Sequence, residues 1–325
     1  MTKKVIFTII ISLLAICNYF AQQSTVYRMP YGYETSFDNQ SSVLYNQYTY
    51  DNYFFSPGIN YLNKIDEIDL ENNQGFGINT DILINSRSLF FRLTPSWHYE
   101  NLDFSLTLPY DFTIFNTFNK FGDIQIKASY NLKKSKSYNT TSLSFTFPTH
   151  NDEHGFFGIY SNGTGSNDFI LSNNYIYNNN TYGFYGTAMI RHSMPGKKSM
   201  TINYENTDEF EIWNYRFQNG NLFALQLNAY IAPLKKLHIH FGVGAMYNTR
   251  NSYSKVISYT WKEDLLKFDN IKGSQNFFYS DLRLGVMTKI KKVDITVFVT
   301  SPNVNNYSIN SYSLDLIIKA SWQIF

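Results

Sequence analysis

A two-residue alternation of apolar and polar side chains constrains the fold of this chain more than any other feature. In residues 237–247 the odd positions are apolar or aromatic, and His238, His240 and two glycines occupy even positions between them. Residues 102–112, 124–132 and 293–299 repeat the pattern. A period of two is that of a β-strand, because successive side chains of a strand point to opposite faces. The chain is therefore predicted to be all-β.

Composition indicates what kind of β-structure these strands build. Aromatic residues make up 18% of the 325 residues and charged residues only 16%, against about 25% charged residues in an ordinary soluble domain. The mean hydropathy is nevertheless negative, at −0.30. A chain of this kind is typical of a transmembrane antiparallel β-barrel, whose strands turn alternate side chains to lipid and to the lumen. The net charge of +2 gives no indication of nucleic-acid binding.

The length and spacing of the alternating segments support this interpretation. Twelve segments are predicted, at 75–85, 88–99, 102–112, 122–132, 141–149, 167–178, 182–193, 221–232, 236–247, 279–290, 293–301 and 312–324. The connections that follow even-numbered segments are short, and most of the others are long. Outer-membrane barrels have short turns on the periplasmic side and long loops outside. Fourteen strands are the alternative, if residues 22–74 supply two more.

The N-terminal residues predict export from the cytoplasm. Lys3 and Lys4 precede an apolar run from Val5 to Ile16, and cleavage is expected after the small residue Ala21, which is the pattern of a secretory signal peptide. The expected organisation is a signal peptide at 1–21, an N-terminal extension, plug or extra strands at 22–74, and the barrel at 75–325. The terminal Phe325 resembles the signal read by the barrel-assembly machinery. This machinery and the outer-membrane lipids are therefore the expected partners.

The polar face of the predicted strands supplies the candidate site residues. A barrel turns this face to its lumen, so charged and imidazole side chains on it are expected to line the pore and to set its ion preference. The candidate lumen-facing residues are Asp81, Arg92, Asp103, Lys127, His240, Arg283 and Asp294. No catalytic residue, no metal site and no cofactor is predicted.

The glycine-rich stretch 158–166 has partial P-loop spacing. Gly158 and Gly163 are correctly spaced, but Thr164 stands where the phosphate-binding lysine is required. The residues that follow alternate as a strand, whereas a P-loop opens a helix. Gly163 and Gly165 are instead expected to return a long loop into a strand, because glycine tolerates positive φ angles. Asp168 then lies at the mouth of that strand.

Several short motifs resemble the bacterial outer-membrane transporters named for the meta-pathway of phenol degradation. They are Leu108-Pro109-Tyr110, Phe121-Gly122-Asp123-Ile124, the segment 144–149 that contains Phe-Pro-Thr, and Gly163-Thr164-Gly165-Ser166-Asn167-Asp168. The resemblance covers about 100–180. It implies an outer-membrane barrel that transports solutes, and it names no particular molecule.

Three functions follow as hypotheses of decreasing weight. The first is a channel that passes small, hydrophobic or aromatic solutes by passive diffusion. The second is a structural or surface-interaction barrel without transport, with loops 194–220 and 248–278 as the binding surface. The third is an outer-membrane hydrolase, for which His98 and His192 lie close in sequence to serines. A hydrolase would need a serine, a histidine and an acid or amide together on the outer wall.

Overall fold

The computed structural model describes most of the chain from residue 74 onward. The described ranges are 74–84, 88–113, 120–121, 123–147, 167–179, 181–203, 210–218, 220–249, 252–259, 265–272, 276–290, 293–304, 307–308 and 313–323. The expectations for residues 1–73 and for Gly163 and Gly165 lie outside these ranges. Within them, no helix is long and apolar enough to cross a membrane.

Twelve antiparallel strands form a closed barrel. They are β1 (Gln74–Ile84), β2 (Ser88–Tyr99), β3 (Leu102–Thr113), β5 (Ile124–Lys134), β6 (Ser137–Phe147), β7 (Asp168–Asn178), β8 (Tyr182–Ser193), β11 (Leu222–Leu234), β12 (Leu237–Asn248), β15 (Phe277–Ile290), β16 (Val293–Val304) and β18 (Ser313–Gln323). Each strand pairs with the next one in this order, and β1 pairs with β18. Closure leaves no free edge, which a sheet needs if it is to lie in hydrocarbon.

The six other strands lie in the long connections. Two are very short: β4 (Lys120–Phe121) pairs with β3, and β17 (Tyr307–Ser308) pairs with β16. The other four are β9 (Gly196–Asn203), β10 (Phe210–Gln218), β13 (Ser252–Tyr259) and β14 (Leu265–Lys272), paired in the order β14-β13-β10-β9. Along the chain, β9 follows β8, β10 precedes β11, β13 follows β12 and β14 precedes β15. The barrel strands β8, β11, β12 and β15 are consecutive in the wall. The four-stranded sheet therefore repeats the strand order of the adjoining wall.

The prediction of an all-β barrel with twelve strands is confirmed, and most strand bounds agree within about two residues. The bounds of the fifth strand were wrong, because β6 begins at Ser137 and not at residue 141. The expected connection 133–140 is only the two-residue turn Ser135-Lys136. Ser137 to Thr141 are all polar or aromatic, so apolar alternation could not mark this end of the strand.

Two residues with positive φ allow tight turns at the short-turn end of the barrel. Glu100 has a φ of 53° and Ser135 a φ of 40°, in the left-handed region that such turns require. Backbone hydrogen bonds then join turns to the next strand, from Asn178 N on β7 to Lys136 O at 2.9 Å and from Lys289 N on β15 to Lys236 O at 3.3 Å. These turns are thus tied to the neighbouring hairpins of the barrel.

The surface of the barrel is inverted relative to that of a soluble protein. Large apolar side chains point outward and are exposed, as with Leu143 and Leu284, each 58% exposed. Polar side chains point inward and are buried, as with Asn131 and Thr300 at 0%. The exposed apolar residues are spread over most of the wall, which fits contact with lipid rather than with water.

Candidate lumenal site

All seven predicted lumen-facing residues lie at buried or half-buried positions of the barrel wall. Asp81, His240 and Arg283 are buried. The remaining four, Arg92, Asp103, Lys127 and Asp294, are half-buried. Each shares its strand phase with buried polar neighbours and alternates with the apolar row. The structure groups them into separate clusters, which sequence order alone does not indicate.

Five charged residues form a row of alternating sign across neighbouring strands, called here the charge ladder. Its members are directly opposite one another in register, in the order Lys289, Asp294, Lys319, Asp81 and Arg92. The row runs through β15, β16, β18, β1 and β2 and crosses the seam where the barrel closes. Opposite charges on facing strands stabilise a sheet.

The best-defined contact of the charge ladder is the Asp81–Arg92 ion pair. Arg92 donates from Nη2 at 2.8 Å and from Nε at 3.0 Å, both to Asp81 Oδ2. Lys319 interacts electrostatically with Asp81, Arg92 and Asp294, and also with Lys127 on β5. The ladder therefore belongs to a wider group of charges in the lumen.

Asp103 belongs to a second polar group near the short-turn end. Asn131 Nδ2 donates to Asp103 Oδ2 at 2.6 Å, and Thr140 Oγ1 donates to Asn131 Oδ1 at 2.8 Å. The imidazole of His98 contacts the other carboxylate oxygen of Asp103. This network links β2, β3, β5 and β6 on the lumenal side.

Two further ion pairs lie on the lumenal face, one between β7 and β8 and one on β15. Arg191 Nη2 is 2.5 Å from Asp168 Oδ2, and Arg283 Nη2 is 2.6 Å from Asp281 Oδ2. All four side chains are almost fully buried. Asp168 thus begins β7 as predicted from the glycine-rich motif, and its carboxylate is held by an arginine of the next strand.

An aromatic cluster lies in the lumen, formed by Tyr185, Tyr230, His238, His240 and Phe298. Tyr230 stacks on His238 with ring centroids 5.1 Å apart and planes 1° apart, and it contacts His240 at 5.5 Å. A hydrogen bond of 3.2 Å joins Tyr185 Oη and His240 Nδ1. Phe298 packs edge-on against His240 at 6.2 Å.

Apolar side chains also face inward, in what is called here the apolar patch. It consists of Ile170, Met189, Leu222, Ala224 and Met246, all buried and in mutual contact. These residues come from β7, β8, β11 and β12, between the long-connection end of the barrel and the aromatic cluster. Apolar residues are unusual inside a membrane barrel, where the lumen is ordinarily polar.

Glycines let lumenal side chains lie flat against the wall. A Cβ built on Gly285 would lie 2.3 Å from Cδ1 of Phe298, and one built on Gly242 would lie 2.1 Å from Oδ1 of Asn228. Such distances are too short for any real Cβ, so these side chains occupy the space above the glycines. The glycines thereby keep the side chains close to the wall and out of the central lumen.

Sequence reasoning missed several members of these groups. Lys319 was detectable, because it alternates with the apolar row that contains Ile318 and Ala320. Its position beside Asp81 was not detectable, since it requires the pairing of the first strand with the last. Arg191, Tyr230 and Phe298 each stand among ordinary strand residues, and only the register across strands brings them to their partners.

The histidines considered for hydrolysis do not form a catalytic arrangement with serine. His98 contacts Asp103 within the lumenal network, and exposed His192 has Nδ1 2.8 Å from Asn221 Oδ1. In the described strands no hydrogen bond joins a serine to either histidine. Within the same part of the chain, no group of three or more His, Cys, Asp and Glu residues is arranged to hold a metal ion.

The closed topology, the apolar outer surface and the charged lumen define the chain as a transmembrane β-barrel of the outer membrane. Among solved structures it is similar to the COG4313 outer-membrane channel from Pseudomonas putida F1, with 11% sequence identity and a TM-score of 0.55. The likeness covers 76% of this chain and 96% of that one. At this identity it supports the fold alone.

A weaker likeness is to a deletion mutant of TodX, a monoaromatic hydrocarbon channel. The identity is 9% and the TM-score 0.44, over 77% of this chain and 89% of that one; no conclusion rests on it. No protein-family model matches the chain, and no curated protein matches it significantly.

Proposed function

We propose that this protein is a channel that passes small, hydrophobic or aromatic solutes across the outer membrane by passive diffusion. The observation that carries the proposal is the apolar patch on the inner wall. The lumen of a membrane barrel is ordinarily polar, and the patch interrupts that lining with apolar side chains. A hydrophobic solute gains free energy when it contacts an apolar surface.

The aromatic cluster supports the same class of solute. Ring faces attract other aromatic molecules through offset or edge-on contacts worth about 0.5–1.5 kcal/mol each. The inner wall thus offers two successive places where an aromatic molecule can rest. The sequence resemblance to the meta-pathway phenol-degradation transporters is consistent with this proposal.

No step of catalysis is proposed. The lumen contains ion pairs and aromatic rings, and the Ser–His–acid arrangement expected of a hydrolase does not occur among the described residues. The protein is proposed to act by selective permeation.

Reconstitution in planar bilayers tests the proposal. The protein is expected to conduct ions, and benzyl alcohol is expected to interrupt the current briefly as it contacts the inner wall. Met246→Gln, which makes the apolar patch polar, is expected to shorten these interruptions. Lys267→Gln, at an exposed residue of β14 outside the barrel wall, is the control and is expected to leave the interruptions unchanged. Absence of ion conductance in correctly folded protein would refute the channel.

The four-stranded sheet favours a second candidate function, recognition at the cell surface. Two long connections, expected to be separate loops, pair with each other through β10 and β13. The resulting sheet joins the two connections and presents more ordered surface than two separate loops would. A folded barrel that conducts no ions would shift the proposal to this role.

A further inference from the structure

We infer that His238, His240 and Met287 form a binding site for a soft monovalent metal ion, Cu(I), on the lumenal wall. The three side chains lie on two neighbouring strands, β12 and β15, near the short-turn end of the barrel. The inference goes beyond the proposed channel function, since the ion binds whether or not the lumen conducts. It starts from polar atoms inside the barrel that no hydrogen bond satisfies.

The two histidines carry unsatisfied nitrogen atoms on the same face of β12, because residues two apart in a strand share a face. His238 is 1% exposed and His240 0%. Among the described residues, neither ring nitrogen of His238 has a hydrogen-bond partner, and Nε2 of His240 has none either. Buried polar atoms of this kind are rare in folded proteins, and a bound ion or water is a usual explanation for them.

The spacing of the two imidazole rings fits a shared ion. Their centroids are 6.0 Å apart and their planes differ by 29°. A metal ion about 2.0–2.1 Å from an imidazole nitrogen lies about 3.2 Å from the ring centroid, so two rings that share an ion have centroids up to about 6.4 Å apart. The observed spacing is within this limit, so one ion can contact a nitrogen of both rings once the rings turn toward it.

Neighbouring aromatic side chains hold both imidazoles in place. Tyr230 stacks on His238 with ring planes 1° apart. The hydrogen bond of 3.2 Å between Tyr185 Oη and His240 Nδ1 orients the second ring. Histidines that bind metals usually engage their other ring nitrogen in a hydrogen bond of this kind, which leaves one nitrogen for the ion. In His240 that nitrogen is Nε2, the one without a partner among the described residues.

Met287 supplies the third donor. It lies directly opposite His238 in register and is 1% exposed. Facing residues of antiparallel strands have Cα atoms about 4.5–5.5 Å apart, so both side chains can reach one ion. The thioether sulfur is a weak hydrogen-bond acceptor but a good ligand for soft metals. The set therefore differs from a cluster of three His, Cys, Asp and Glu residues, which the described part of the chain lacks.

The chemistry of the donors selects the ion. Two neutral imidazoles and a thioether have no negative charge to offset that of a bound ion. The Born cost of burying an ion rises with the square of its charge, so a divalent ion costs about four times as much as a monovalent ion of the same size. Thioether ligands are typical of Cu(I), and imidazole also suits copper. The set therefore fits Cu(I) better than Zn²⁺ or Cu²⁺.

The charged residues that flank Met287 on the lumenal face of β15 have acidic neighbours. They are Arg283 and Lys289. Arg283 Nη2 is 2.6 Å from Asp281 Oδ2. Lys289 lies directly opposite Asp294. One added positive charge at Met287 therefore does not lie beside an uncompensated cation of its own strand.

Direct metal binding tests the site without any measurement of conductance. The probe is Ag⁺, which is soft and monovalent like Cu(I) but stable in air, in a buffer without chloride because chloride precipitates silver. Exported protein, from which the predicted signal peptide with the single cysteine Cys17 has been removed, is folded in detergent micelles and titrated in a calorimeter. The double variant His238→Gln/His240→Gln is expected to bind one Ag⁺ fewer per chain than wild type. Zn²⁺ is expected to bind the wild-type site at least tenfold more weakly than Ag⁺.

Two further variants separate the site from effects on folding. Met287→Leu removes the sulfur and nearly conserves volume, so it is expected to fold and to weaken Ag⁺ binding at least tenfold. It carries the test if the double histidine variant does not fold. His192→Gln, at an exposed histidine of β8, is the matched control and is expected to bind Ag⁺ like wild type. Cu(I), kept reduced by ascorbate, is expected to displace Ag⁺ from the wild-type protein.

The outcomes distinguish this site from the proposed channel. Equal Ag⁺ binding by wild type and by the folded double histidine variant would overturn the site. Zn²⁺ binding as tight as that of Ag⁺, or unchanged affinity in Met287→Leu, would overturn the assignment to a soft monovalent ion. In bilayers with nitrate electrolyte, Ag⁺ is expected to lower the conductance of wild type and not that of the double variant, because the ion lies in the lumen. Folded protein that binds Ag⁺ but conducts no ions would refute the channel and leave the metal site intact.

Discussion

Asp81 on the first strand of the barrel and Lys319 on the last are directly opposite each other across the closing seam. Asp81 also faces Arg92, and Lys319 also faces Asp294. A slip of one residue between β1 and β18 would turn Asp81 and Lys319 to opposite faces of the wall. A slip of two would place Lys319 opposite Asn79 or Leu83. The ladder therefore specifies the register in which the two ends of the barrel pair.

The first prediction concerns the stability of this seam. Asp81→Asn leaves Arg92 and Lys319 without the carboxylate between them, and removal of one partner of a buried ion pair costs about 3 kcal/mol or more. The variant is expected to unfold at lower urea concentration than wild type, as followed by tryptophan fluorescence in lipid vesicles. Glu100→Gln, at an exposed turn, is the control and is expected to unfold like wild type. Equal stability of all three proteins would show that the ladder contributes little to closure.

The seam also shows what sequence can and cannot indicate about this fold. Strand positions followed from apolar alternation because lipid selects apolar residues on the outer face of nearly every strand. The start of β6 was misplaced, since Ser137 to Thr141 lack that alternation. The same pattern indicated that Asp81 lies on the lumenal face of its strand. Its contact with Lys319 did not, because the two residues are far apart in sequence and meet only when the barrel closes.

The second prediction uses the close contact between Gly242 and Asn228. A Cβ at position 242 would lie 2.1 Å from Oδ1 of Asn228 and 3.0 Å from its Cγ. Gly242→Ala is therefore expected to displace the Asn228 amide into the lumen. Overpacking of this kind destabilises by about 1–3 kcal/mol, and single-channel conductance is expected to fall. Restoration of conductance by Asn228→Ala in the same chain would identify the amide as the obstruction. A double variant that conducts as poorly as Gly242→Ala would contradict this explanation.

The third prediction concerns the aromatic cluster. Tyr185→Phe removes the hydroxyl group that bonds to His240 Nδ1 and leaves that buried nitrogen without this partner. The expected loss of stability is about 1–2 kcal/mol, measured by urea unfolding. Tyr182→Phe, at a residue that is 51% exposed on the outer wall, is the matched control with the same chemical change. The hydrogen bond would be shown to be unimportant if both variants had the same midpoint.

The fourth prediction tests the four-stranded sheet, whose strands lie in the two predicted loops 194–220 and 248–278. Asn214 on β10 and Val256 on β13 are directly opposite each other. Facing residues of antiparallel strands have Cα atoms about 4.5–5.5 Å apart, within the reach of a disulfide. The Asn214→Cys/Val256→Cys variant is therefore expected to form a disulfide under air oxidation, detected as a gel-mobility difference that a reducing agent abolishes.

Lys267 on β14 faces Val256 from the other side, one strand farther from Asn214 and about 9–10 Å away. Asn214→Cys/Lys267→Cys is thus the matched control and is expected to remain reduced. Equal cross-linking in the two variants would show that the connections do not pair in the order β10-β13-β14.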